Sequence, residues 1–238
     1  MFKLIKLMQS TVLVTGLVVG VIGMAGVTFD ARATLVKISQ ESSAGLGDFD
    51  ANVLGYLNPF STALTTSAFY QLGSPTTASY DGDLNGGPLA ISNTTQLFML
   101  SASDGLSMVV VHDEDGDGSS GTAKETWTLA GDTASILVAD DGTEITGGPS
   151  VFTTNFSWVS CCTDGFAIGS LDNDWTMIGG FDAFSGITSW QAVSSGDGPI
   201  ALILTSGRRV RLQTIPEPGT LGLFLVGLAW FARRRRMA

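Results

Sequence analysis

The chain has 238 residues, 44% of them hydrophobic and only 14% charged, with 30 glycines and a formal net charge of -10. The apolar fraction excludes a wholly disordered chain, and the length allows one domain with a sizeable core plus further segments. Twelve Lys and Arg against 22 Asp and Glu argue against nucleic acid as a partner, because phosphate binding needs dense positive charge.

At the N-terminus, Lys3 and Lys6 precede an apolar run from Thr11 to Met24, and Ala31-Arg32-Ala33 offers the small-x-small pattern that signal peptidase accepts. Residues 1–33 therefore read as a secretory signal-peptide helix, cleaved after Ala33. The alternative is a retained anchor, for which the run is near the lower length limit. Residues 34–213 are then the extracytoplasmic body. The 22 acidic residues less Asp30 and Glu217 leave 20 in it, against the basic Lys37, Lys124, Arg208, Arg209 and Arg211, so its own charge is near -15. Such a body stays soluble, repels its copies and gathers cations.

Glu41 to Ser61 is rich in Gly, Ala, Ser and Asn without clear periodicity, and is expected to be irregular with at most a short helix. Beyond it, short apolar or alternating runs predict strands at Leu64–Leu72, Leu89–Leu100, Leu106–His112, Thr126–Leu129, Ala134–Ala139, Val151–Val159, Phe166–Leu171, Trp175–Phe181, Ile187–Val193 and Ile200–Leu212. Seven Asp-Gly pairs, beginning at Asp81, Asp104, Asp115, Asp117, Asp141, Asp164 and Asp197, offer positive-φ positions for tight turns. With no helical apolar stripe and no long repeat, the pattern predicts an all-β body, a β-sandwich of jelly-roll type rather than a barrel, an α/β fold or a solenoid. Arg208, Arg209 and Arg211 read as the solvent side of the last strand.

Within the body, Asp113, Asp115 and Asp117 alternate ahead of Gly118, and hard Ca²⁺ needs several oxygen ligands converging where the chain turns sharply. An EF-hand is excluded, since Lys124 stands where the twelfth-position Glu is required. Two readings stay open: a calcium site in a β-domain loop, or a solvated acidic hairpin. Adjacent Cys161 and Cys162 admit a local disulfide, a reduced pair or a bridge between chains. Trp127, Trp158, Trp175 and Trp190 read either as core residues or as platforms for stacking sugars. His112 is the only histidine and no Gly-x-Ser-x-Gly elbow occurs, so no catalytic residue is assigned.

At the C-terminus, Pro216-Glu217-Pro218 leads into an uncharged run from Leu221 to Ala232 and then Arg233, Arg234, Arg235 and Arg236. An apolar run closed by arginines is a stop-transfer signal, with the positive charge on the cytoplasmic side. The prolines keep the motif extended ahead of the expected transmembrane helix. Residues 214–238 resemble the PEP-CTERM sorting signal of Gram-negative bacteria. That resemblance implies that Pro216, Glu217 and Pro218 are recognised by a membrane-embedded exosortase, that the tail is removed, and that the protein reaches the cell surface or extracellular matrix, where such proteins accompany exopolysaccharide and biofilm. The expected partners are signal peptidase, exosortase, the inner membrane in transit and exopolysaccharide, with calcium as the one candidate cofactor. The leading expectation is an exported, non-enzymatic structural or adhesive protein; the alternatives are a carbohydrate-binding module and a glycan-cleaving hydrolase.

Overall fold

The computed structural model describes residues 35–70, 80–160 and 162–215. The expected signal peptide with its Ala33 site, Cys161, the Pro216-Glu217-Pro218 motif, the transmembrane helix and Arg233 to Arg236 lie outside the described residues. Among the described residues, no helix is long and apolar enough to cross a membrane.

The body is the expected all-β sandwich. Its eight-stranded first sheet has the order β2 (Val53–Leu57), β1 (Val36–Gln40), β15 (Val210–Thr214), β12 (Thr176–Ser185), β6 (Gly121–Ala130), β9 (Val151–Thr154) and β8 (Ile145–Gly147), with β10 (Phe156–Trp158) also on β6. The seven-stranded second sheet has the order β14 (Ile200–Leu202), β13 (Ser189–Val193), β4 (Thr94–Ala102), β5 (Gly105–His112), β11 (Asp164–Leu171) and β7 (Ser135–Ala139), with β3 (Phe60–Ser61) on β4. The pairings of β4 with β13 and with β3 are parallel.

Alternation explains the first sheet. Along β6, Ala123, Glu125, Trp127 and Leu129 are buried while Thr122, Lys124 and Thr128 are exposed, the two-residue period of a strand with one face in water. Register aligns Ile38, Leu212, Met177 and Leu129 across four strands, all facing the second sheet. From the other side Leu97, Met99, Met108, Val110, Phe166 and Ile168 close the main core. Each large side chain so buried contributes about 1.5–3 kcal/mol.

The second sheet is buried on both faces, which is why β4 and β5 contain the unbroken apolar runs Leu97–Leu100 and Met108–Val111. Its outer face carries Phe98, Leu100, Val109, Val111 and Ala167 under a cap made by helix α1 (Thr66–Tyr70) and Tyr80. Phe98 meets the edges of Phe60, Phe69 and Tyr80 at centroid distances of 5.5, 6.3 and 6.1 Å. Asp104, in the β4–β5 turn, accepts from Thr66 N and Oγ1 at 2.9 Å and fixes the start of α1.

That cap corrects the strand expected at Leu64–Leu72. Neighbours Phe69 and Tyr70 are both buried, as a helix lying on a sheet permits. The expected strand from Leu89 begins only at Thr94, after Asn93 turns at φ 54°. Val151–Val159 breaks at Asn155 into β9 and β10, and Ile200–Leu212 breaks where the chain crosses from the second sheet to the first. The stretch Glu41–Ser61 holds β2 and β3; β2 is an edge strand whose Gly55 makes room for Ile200, since a Cβ there would lie 2.9 Å from Ile200 Cδ1. Strands β1 and β8 fall outside the expected set. Of the seven Asp-Gly pairs, only Gly105, Gly116 and Gly118 take positive φ. Gly165 lies within β11 instead, where a Cβ would meet Val110 O at 2.3 Å.

Candidate functional site

A grouping of buried titratable side chains forms where β7 ends and β11 begins. Ala139 pairs with Phe166, so Asp140, just beyond β7, lies beside the start of β11, with Asp140 N donating to Gly165 O at 3.2 Å. A turn closed by Glu144 N donating to Asp141 O brings Glu144 back, and Ser157 N donates to its Oε1 at 3.2 Å. Tyr70 Oη donates to Asp140 Oδ2 at 3.4 Å from the cap above. Asp140 and Asp164 are 7% and 6% exposed. Asp140 Oδ1, Asp164 Oδ2 and Glu144 Oε2 are buried without a donor.

Electrostatics follow from that crowding. Burial, then the charges of Glu144, Asp140 and Asp141, push Asp164 up to about 8. Burial, then Asp141 and Glu144, raise Asp140 to about 7, and burial raises Glu144. As carboxylates, Glu144 and Asp164 offer each other nothing; with one proton between them, one donates and the other accepts. The cluster therefore holds protons near neutral pH and titrates as a unit. Sequence reading took Asp164 as part of an Asp-Gly turn pair and did not single out Asp140 or Glu144. The available signal was two acids directly ending the apolar strand Ile136-Leu137-Val138-Ala139.

Of the aspartates singled out for calcium, Asp113 and Asp117 lie side by side and share Ser119, while Asp115 is exposed. Asp113, at φ 67°, is buried; its carboxylate accepts from Asn93 N at 2.6 Å, from Trp158 Nε1 at 2.7 Å and from Ser119 Oγ. Asp117 accepts from Ser92 Oγ and from Ser119 N at 2.6 Å, and Asp115 is exposed. Among the described residues, no three His, Cys, Asp or Glu side chains are grouped so as to hold a metal ion.

Next to Asp113, His112 points into the core. Its Nδ1 lies 2.8 Å from Thr95 Oγ1, its ring stacks on Trp158 at 5.5 Å, and its Nε2 lies 3.7 Å from Glu125 Oε1. Trp127 Nε1 donates to Glu125 Oε2 at 2.6 Å. Burial lowers His112 to about 3 and raises Glu125 to about 7, the Trp127 bond opposing the latter. With both groups fully buried, desolvation outweighs their attraction, and between about pH 3 and 7 the pair is neutral rather than ionic.

All four body tryptophans, Trp127, Trp158, Trp175 and Trp190, belong to the main core, each at most 4% exposed. The carbohydrate-binding alternative loses the ring platforms on which it rested. Cys162 is disulfide-bonded, and Cys161 lies outside the described residues.

Comparison with known families matches residues 214–236 to the PEP-CTERM protein-sorting motif. The motif indicates an exported protein, handled at the membrane and processed by an exosortase. The comparison with curated proteins gave no match, and neither did that with solved structures.

Proposed function

We propose that this protein acts at the cell surface or in the extracellular matrix in a structural or adhesive, non-enzymatic role, released there after an exosortase removes its hydrophobic tail. The observation that carries the reading is the sorting motif directly following a closed sandwich. Ile215 N donates to Leu35 O at 3.2 Å, so the body's two ends lie side by side. One pole faces the processing machinery and the rest of the body is free to meet partners. In a body charged near -15, divalent cations such as Ca²⁺ offset repulsion from anionic polymer.

The test compares intact mass and cell fractionation of the wild type with a Pro216→Ala, Glu217→Ala, Pro218→Ala variant. The reading expects wild type outside the cell without its tail and the variant full-length in the inner membrane. Both remaining full-length in the membrane defeats it.

A further inference from the structure

Charge is distributed unequally between the faces of the sandwich. The second sheet is covered outside by α1 and Tyr80, whereas the outer face of the first sheet carries, among the described residues, the short turn Phe49–Ala51 at one corner. The registers place Tyr56, Lys37, Gln213 and Thr176 in one outward line across β2, β1, β15 and β12. A second line, Thr126, Thr153 and Thr146, crosses β6, β9 and β8. Thr128 stands between them, opposite Ile178 on β12.

Four of the body's five basic residues stand on this face: Lys37, Lys124, Arg209 and Arg211. The acids nearest these arginine side chains are engaged. Asp182 is held by Arg209 and by Thr126 Oγ1 at 2.7 Å, and Asp50 by Arg211. The arginines are therefore half-buried clamps on the solvent side of the last strand, while neither lysine makes an ion pair among the described residues. Lys37 and Lys124 are therefore positive charges on this face outside any ion pair among the described residues, on a body near -15.

We propose that the outer face of the first sheet binds an extended anionic polysaccharide, lying across the strands between Lys37 and Lys124. This rests on the reading that the protein works among matrix polymers. An anionic chain is repelled by the acidic remainder of the body over about 8–10 Å at physiological salt, so this face is where it can approach. Neighbouring strands repeat every ~4.8 Å, close to the length of one sugar in an extended chain, which sets Lys37, Gln213 and Thr176, on three successive strands, at the spacing of successive sugars. Tyr56, 50% exposed beside Lys37, offers a ring to the apolar side of a sugar. A second copy of the chain fits less well. The exposed aliphatic residues Val53 and Val151 sit on opposite sides of the sheet rather than forming an apolar centre of the kind protein interfaces use.

The experiment measures retention of the full-length protein, in detergent, on immobilised polyuronate and on neutral dextran, at low and high salt. Wild type is expected to bind polyuronate, release at high salt and ignore dextran. A Lys37→Glu, Lys124→Glu variant with an unchanged circular dichroism spectrum is expected to bind about tenfold more weakly, a loss of ~1.4 kcal/mol. Equal retention on dextran, no retention on polyuronate, or equal retention of the variant overturns the proposal. So does sedimentation showing a wild-type dimer that the variant loses without any polymer binding. Fractionation of the same variant separates the two readings. Normal export with lost binding touches this face alone, whereas failed export of the wild type removes the surface role and leaves the binding result standing.

Discussion

Gln40 and Ile203 meet across one end of the sandwich as if they were neighbours in a ladder. Gln40 Nε2 donates to Ile203 O at 2.9 Å, and Gln40 Oε1 accepts from Ile203 N at 2.8 Å. Gln40 ends β1 in the first sheet and Ile203 follows β14 at the edge of the second, so a single buried amide ties the sheets and satisfies an edge backbone. Gln40→Ala is expected to cost about 1–2 kcal/mol, lowering the thermal midpoint by roughly 2–8 °C for a domain of this size. Gln40→Glu loses the donor and buries a charge, so it melts lower than Gln40→Ala near neutrality and recovers part of the loss in acid. Thermal melts followed by circular dichroism check both.

Stability should rise as pH falls from about 8 to about 6, the reverse of common acid sensitivity. Asp164, Asp140 and Glu125 are raised to about 8, 7 and 7, so their contribution is complete below their ordinary carboxyl range and is lost as pH rises through those values. His112, lowered to about 3, contributes fully above its ordinary value of 6.5 and loses that contribution as pH falls through 3. Three acids against one imidazole give the sign. Asp164→Asn is expected to raise the midpoint near pH 8 by several degrees, with no gain near pH 4. A wild-type midpoint that falls between about pH 8 and 6 contradicts the scheme.

Glu125 separates a need for shape from a need for charge. Glu125→Gln keeps an oxygen for the Trp127 indole and removes a group that must ionise in the core, so it should be neutral below pH ~7 and stabilising above it. Glu125→Leu strands the indole N–H, so it should cost about 1–3 kcal/mol below pH ~7 and stay less stable than Glu125→Gln by about that much at either pH. Urea unfolding at two pH values distinguishes them.

Much of the fold was legible because strand periodicity is written in the side chains. Leu106–His112 and Phe166–Leu171 match β5 and β11 closely, since continuous apolar runs mark strands buried on both faces. The pattern failed where tertiary contacts override it: α1 is short, and Asp104 and the outer face of the second sheet hold it in place. The acid cluster was illegible for a related reason. Asp140 and Asp164 look like turn residues in sequence, and only the pairing of β7 with β11 beneath Tyr70 makes them neighbours. The sorting motif was fully legible, because short linear recognition needs no fold.

The acidic loop joins a fold question to a binding question. Asp113→Ala leaves Asn93 N and the Trp158 indole without their acceptor and should cost about 2–4 kcal/mol. Exposed Asp115→Asn should stay within about 0.5 kcal/mol of wild type. Asp113 can join an ion only by leaving Trp158, so Ca²⁺ binding there should be weak and should change tryptophan emission as the indole loses its partner. Calorimetry and fluorescence are therefore titrated together on the full-length protein. Heat with an emission change, both abolished by Asp117→Asn, assigns the ion to Asp113, Asp115 and Asp117; heat without that change assigns it to the exposed pair alone. Absence of heat at millimolar Ca²⁺ leaves Asp113 as a core residue whose role is to accept from Trp158.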